Sequence, residues 1–261
     1  MLRPLVVGAP FGNYVGEGWA TRTLGSFTLE ARGGRLYRLW KILKTVRYYP
    51  GIKAWKNKLG LPNPGIDWLV EKVREKKISV ADKIVSVFAF SIDEATTLLQ
   101  KADALDPLAI ELNVSCPNVE HKSSQQDLAE ILTRAVGNIK APLILKLPPV
   151  GYRDIVDVAV KGGVKAFHCC NTLPCPGGGI SGKPLKALSL EAIRYIRKVH
   201  EGEEITIIGG GGVTEFEDII EYMEAGADSV SIASCLFNPY RLWRMRALSK
   251  SLGILRQGKH I

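Results

Sequence analysis

Short apolar runs alternate with amphipathic stretches along most of the chain. Eight of these runs read as β-strands: Leu5–Val7, Trp19–Thr23, Ile84–Phe90, Ala109–Val114, Leu143–Leu147, Ala166–Cys170, Ile205–Ile208 and Ser229–Ala233. Most are continuously apolar, as strands covered on both faces should be. Helices are expected in the gaps after the second run. Ser91-Ile92-Asp93-Glu94 and Thr214-Glu215-Phe216-Glu217 have the spacing of capping boxes that open two of them. Gly162-Gly163 and Gly226 suit helix C-termini.

Strands that alternate with helices predict a parallel α/β fold. Eight strands favour a closed (β/α)8 barrel (TIM barrel) over an open doubly wound sheet. The 261 residues suit that choice, because such barrels need about 250. No composition break marks a linker, so one domain over 1–261 is expected. In a barrel of this kind the active site lies at the C-terminal ends of the strands. The residues that follow each strand are therefore the ones to inspect.

Composition narrows the class. No apolar run reaches about 18 residues, so no membrane-spanning helix is expected. The N-terminal run Leu5-Val6-Val7 is too short for a signal peptide, and a cytoplasmic location is expected. The five cysteines (116, 169, 170, 175 and 235) are odd in number and form no CxxC pair. This argues against a disulfide framework and against a zinc site, so no metal is expected. Cys169-Cys170 reads as two small residues on a buried strand. No DNA partner is expected.

The net charge of +9 is unevenly spread, since every charged residue from Arg32 to Lys58 is basic. Within this stretch Leu36, Leu39, Trp40, Leu43 and Val46 recur at helical spacing. Such a helix can dock on a membrane surface or a partner. The alternative, which the pattern favours, is a barrel-top helix with its apolar side on the core.

Five strand ends carry candidate chemistry. Asn113-Val114-Ser115-Cys116-Pro117-Asn118 follows the fourth strand and places a thiol between two carboxamides. Carboxamides offer donors and acceptors suited to the edge of a planar imide or amide ring. A thiol serves as nucleophile or base when its pKa is suitable. Lys146 closes the apolar run Leu143-Ile144-Leu145 and must reach the barrel mouth or be paired. Asn171-Thr172 and a glycine run through Gly182 follow the sixth strand; the run suits close approach to a ligand, or a flexible connector. Gly209 to Gly212 follow the seventh strand, and Ala233-Ser234 the eighth. Loops at those two places form the usual phosphate site of barrel enzymes.

Together these segments resemble the dihydroorotate dehydrogenase family, from Pro4 to about Phe237 and in the family's order. The most specific parts are Asn-Val-Ser-Cys-Pro-Asn at 113–118, Lys-Leu-Pro-Pro at 146–149 and Asn-Lys-Leu-Gly-Leu-Pro-Asn at 57–63. Gly-Gly-Ile-Ser-Gly at 178–182 with Lys186, and Ile-Ile-Gly-Gly-Gly-Gly-Val at 207–213, add to it. The resemblance implies FMN as cofactor and dihydroorotate as substrate. It implies that Asn57, Asn113, Asn118, Asn171 and Thr172 bind the pyrimidine ring and that Cys116 removes the C5 proton. Arg22 and Lys146 would lie by the flavin ring, while Gly182, Gly211, Gly212, Ala233 and Ser234 bind FMN, the last four around its phosphate. A cysteine base resembles the family's soluble class. That class implies a homodimer and, in some members, an electron-transfer partner subunit.

Three departures stand out. Arg22 replaces the family's lysine, and the two are not interchangeable. Gly8-Ala9-Pro10 stands where the family has Ala-Ser-Gly. The stretch from Asn171 to Gly178 is shorter than usual, and the residues before the first strand are missing, as in a trimmed member. Two other readings stay open. One is a related flavin barrel acting on another dihydropyrimidine or on tRNA uridine, though Ser115 stands where the tRNA enzymes have glycine. The other is a non-catalytic flavin-binding subunit.

Overall fold

The structure is a computed structural model, and it describes residues 1–114 and 125–257. Its strands, in chain order, are β1 (Leu5–Val7), β2 (Thr21–Phe27), β3 (Arg47–Tyr49), β4 (Ala54–Asn57), β5 (Lys83–Val87) and β6 (Ala109–Asn113). There follow β7 (Leu143–Lys146), β8 (Ala166–Cys169), β9 (Leu173–Cys175), β10 (Gly178–Gly182), β11 (Thr206–Gly210) and β12 (Ser229–Ile232). The helices are α1 (Arg35–Thr45), α2 (Ile66–Arg74), α3 (Ile92–Asp103), α4 (Gln125–Ala135), α5 (Arg153–Lys161), α6 (Leu185–Val199), α7 (Phe216–Glu224) and α8 (Pro239–Gln257).

Eight parallel strands close a barrel in the order β1-β12-β11-β8-β7-β6-β5-β2. The expected (β/α)8 architecture is therefore present. A single 3-10 turn at Phe11–Asn13, with no α-helix, joins β1 to β2. The expected second strand, Trp19–Thr23, is displaced: β2 starts at Thr21 and continues through Gly25-Ser26 to Phe27. Pairing with β5 carries it across an irregularity between Leu24 and Phe27, a continuation that local propensity does not show.

Side chains alternate between the two faces of each strand, and this layers the interior. Val6, Ile84, Ala109, Ile144 and Ile208 form a small apolar cluster separate from the main core, with Ala166 packed against it. The main core lies between the barrel and its helices and includes Leu5, Val7, Val85, Ile110, Leu145 and Phe167. Two residues beyond the floor positions, on the same face, come Gly8, Ser86, Glu111, Lys146, His168 and Gly210. The barrel thus has an apolar floor and, above it towards the C-terminal mouth, a polar layer.

A second, antiparallel sheet of order β3-β4-β10-β9 is built from the connections that leave β2 and β8. The glycine run of 178–182 is a strand of this sheet and not a connector. Its glycines are needed because a Cβ at Gly178 would lie 2.2 Å from the Asn57 carbonyl oxygen, and one at Gly182 would lie 2.6 Å from that of Lys53. Aromatic contacts tie the sheet to the barrel: Tyr48 on Trp55 (4.8 Å between centroids), Trp55 on Phe237 (4.4 Å) and Phe237 on Phe11 (4.8 Å).

Two helix starts test the capping expectations. Ser91 caps α3 and accepts from the Glu94 amide at 3.2 Å. In α7 the cap falls one residue later than expected, at Glu215, and Asp218 completes the box. A larger correction concerns α1. The helix forms where expected, but its apolar side is not on the core. Leu36, Leu39, Trp40 and Leu43 all face solvent, and only Ile42 and Val46 turn towards the barrel mouth.

These two environments predict opposite responses to the same substitution. Leu145→Ala, at a fully buried position, is expected to cost about 2–5 kcal/mol in urea unfolding. Leu43→Ala is expected to stay within about 0.5 kcal/mol. A comparable loss for both would mean that α1 packs on the core after all.

Candidate active site

The polar layer opens into a cavity of about 1270 Å³ at the C-terminal mouth. Its walls include Lys146, His168 and Gly210 from the barrel strands, Gly8 just past β1, and Trp55 and Asn57 from the antiparallel sheet. Every described residue singled out from the sequence lines it: Arg22, Asn57, Asn113, Lys146, Asn171, Thr172, Gly182, Gly211, Gly212, Ala233 and Ser234. Cys116 and Asn118 lie outside the described residues.

Glu111 is the electrostatic centre of the layer. It is fully buried. Its carboxylate meets His168 Nδ1 at 2.6 Å, the Ser86 hydroxyl at 2.7 Å and Lys146 Nζ at 3.7 Å. Burial pushes the Glu111 carboxyl up, but Lys146, His168 and Ser86 together outweigh it and hold the group at about 2. His168 goes down, because burial and then the charge of Lys146 together exceed the pull of Glu111. A neutral His168 beside a carboxylate that only accepts must carry its proton on Nδ1 and donate it.

From Glu111 a hydrogen-bond chain runs outward with a fixed polarity. A carboxylate accepts, so Ser86 donates to it, and Ser26 in turn donates to Ser86 at 2.8 Å. The Asn113 amide donates to Ser26 Oγ at 3.5 Å, and Asn171 Nδ2 donates to Asn113 Oδ1 at 2.9 Å. The Thr172 amide then donates to Asn171 Oδ1 at 2.9 Å. Two carboxamides at the cavity wall are thereby oriented by one buried charge. They are set to present defined donor and acceptor edges to a planar polar ring.

Another part of the wall is glycine. Gly182, Gly211 and Gly212 all have positive φ, and a Cβ on Gly212 would lie 2.9 Å from the Gly182 carbonyl oxygen. The end of β10 and the loop after β11 therefore touch backbone to backbone, leaving peptide groups as the surface of the wall. Lys186 at the start of α6 reaches Asp218 at 2.6 Å, and Asp218 also accepts from the Thr214 and Glu215 amides. This clamps one loop against the other. Arg22 lines the cavity with its side chain tied down: Nε donates to the Gly12 carbonyl at 2.8 Å and Nη1 to Glu17 at 3.2 Å.

Sequence reading overlooked Glu111, His168, Ser26 and Ser86. The signal was present for two of them. Glu111 interrupts the apolar run of β6 just as Lys146 closes that of β7, and His168 sits two residues past Ala166 in β8. Cys169 and Cys170 are buried as expected, and burial raises both thiols, Cys170 to about 12.

Fold and site together define a (β/α)8 barrel with a charged, carboxamide-lined cavity at the C-terminal ends of its strands. The family model for dihydroorotate dehydrogenase matches residues 19–245, and the chain belongs to that family. It is 33% identical to a dihydroorotate dehydrogenase B (NAD(+)) catalytic subunit of Petrotoga mobilis, over 85% of this chain and 77% of that protein. The namesake of Thermoplasma acidophilum is 34% identical, over 69% of this chain and 66% of its own length. A dihydroorotate dehydrogenase A (fumarate) of Lactiplantibacillus plantarum is 32% identical, over 70% of this chain and 68% of its own. The chain spans just under two thirds of the length of the Thermoplasma relatives.

The Glu111 cluster makes an acid-stability prediction. A carboxyl depressed in the fold stabilises fully above its ordinary value of 4.5, and that contribution is lost as pH falls towards about 2. Glu111→Gln should cost about 3–5 kcal/mol at neutral pH, because Lys146 is left buried without its partner. The variant should also lose this share of the pH dependence in that window. Urea unfolding of both proteins between neutral pH and the acid limit measures it; an unchanged profile would show that Glu111 is not the paired charge.

Proposed function

We propose that this chain is an FMN-dependent dehydrogenase that oxidises dihydroorotate to orotate. The observation that carries the reading is the Asn171–Asn113 pair, oriented through Ser26 and Ser86 by the same Glu111 that holds Lys146. Family membership supports the substrate. The carboxamide geometry suits a cyclic imide, whose ring carries both N–H and C=O groups at its edge.

The cavity suits FMN. Gly182, Gly211 and Gly212 offer bare backbone along one wall, with Ala233 and Ser234 beside them at the end of the last barrel strand, where barrel enzymes hold phosphate. Lys146 lines the same cavity, where its ammonium group would favour negative charge on a flavin ring bound there. Arg22 also lines the cavity, with its guanidinium already oriented by Gly12 and Glu17. When bound, FMN supplies the acceptor for the hydride leaving C6 of the substrate.

The chain's own residues do the rest. Asn57, Asn113, Asn118, Asn171 and Thr172 hold the ring. Cys116, two residues beyond Val114 where β6 delivers the chain to the mouth, takes the C5 proton. A base and a hydride acceptor held on one oriented ring need no further rearrangement to react. Relatives named as catalytic subunits support a partner subunit that takes the electrons onward. We place the enzyme in the cytoplasm; among the described residues no helix is long and apolar enough to cross a membrane.

The visible spectrum of the purified protein tests this. Flavin bands that bleach on anaerobic addition of dihydroorotate are the expected result. Bands that persist would reject the substrate, and a protein that takes up no FMN would reject the cofactor. Cys116→Ala should keep the bands and slow bleaching by about 10²–10⁴-fold, the usual contribution of a positioned base. Bleaching at the unaltered rate would assign the base elsewhere.

A further inference from the structure

Helix α1 presents its apolar stripe to solvent. Leu36, Leu39, Trp40 and Leu43 stand at i, i+3, i+4 and i+7, the spacing of a buried helix face, yet they are 83%, 54%, 50% and 69% exposed. The exposed surface continues past the helix through Tyr48, Tyr49 and Ile52. Contiguous exposed apolar surface of this kind marks an interaction site.

Charge identifies the partner. The segment 32–58 holds nine Lys and Arg and no Asp or Glu, so the remaining 26 basic residues balance the 26 acidic ones. The whole net charge of the chain therefore resides on this one segment. Apart from Arg35 and Arg38, of which only the backbone is described, none of its basic residues is in an ion pair among the described residues. Lys41 lies over the Tyr37 ring and Lys44 over the Trp40 ring, which keeps the ammonium groups beside the apolar stripe. A basic helix with Leu and Trp on one face and Lys on its flank fits the boundary between anionic headgroups and acyl chains.

We infer that α1, with the exposed side of β3, docks this protein peripherally onto an anionic lipid bilayer. Docking leaves the barrel intact, because the stripe is separate from the core. It also brings the bilayer to the cavity rim, since Ile42 and Val46 on the neighbouring edge of the same helix line the mouth. A second copy is a poorer occupant: a two-fold interface would set each positive segment against its twin.

Vesicle co-sedimentation of the full chain tests the inference, with a readout independent of catalysis. Vesicles of equal parts phosphatidylglycerol and phosphatidylcholine should bind at least about tenfold more protein than phosphatidylcholine alone, and high salt should weaken the binding. Leu36→Glu with Leu43→Glu should abolish it, and Lys41→Glu with Lys44→Glu should reduce it several-fold. Leu36, Leu43 and Lys44 are exposed and Lys41 is half-buried, and an unchanged circular dichroism spectrum would verify the fold. Equal binding to both vesicle types, or unaltered binding by both variants, would overturn the inference. So would light scattering that shows a dimer which Leu36→Glu with Leu43→Glu splits, without vesicle binding by the parent protein.

Discussion

Glu111 sits without solvent contact at the centre of the barrel, and its negative charge is tolerated there because Lys146, His168 and Ser86 meet it. An isolated buried carboxylate would cost several kcal/mol. The compensation depends on strand register. Asn113 stands opposite Lys146, and Lys146 opposite His168, across three neighbouring strands. A slip of one residue in any of these would turn a charged side chain towards the helices and an apolar one into the cavity. The ion cluster and the barrel register therefore specify one another.

The same charge reaches the cavity wall through hydroxyls. Each Ser in the relay has one proton, so the acceptor at its end sets the direction of every bond back to Asn171. Orientation of the carboxamides is thus a consequence of the buried carboxylate rather than of local sequence. The glycine part of the wall follows a different rule, close backbone approach. Glycine at 178, 182 and 212 allows β4, β10 and the loop after β11 to meet where any Cβ would collide. Oriented carboxamides and bare peptide groups therefore line one cavity. The aromatic row from Tyr48 to Phe11 anchors the sheet that roofs it.

Much of this was legible in the chain. Seven of the eight barrel strands lie close to the apolar runs that announced them, because a parallel strand covered on both faces must be continuously apolar. The described candidate residues after the strand ends line one cavity, because a closed barrel brings all its C-terminal ends together. Lys146 was expected to be paired or at the mouth, and it is both. The β2 strand was misplaced because Gly25 and Ser26 look like a turn until β5 pairs across them. Glu111 was passed over because a lone acidic residue in an apolar run has no meaning until its partners on two other strands are known.

By itself the sequence determined the eight barrel strands, the closed α/β architecture, the family and the row of candidate residues at the strand ends. Those are properties of period, spacing and residue type, which local physics reads directly. Tertiary structure alone decided the pairing of Glu111 with Lys146 and His168, the polarity of the relay to Asn171, and the roofing sheet of β3, β4, β9 and β10. It also decided the fate of α1. An amphipathic pattern states that a helix has an apolar side, but only the packed molecule shows whether the core has room for it, and here that side faces outward.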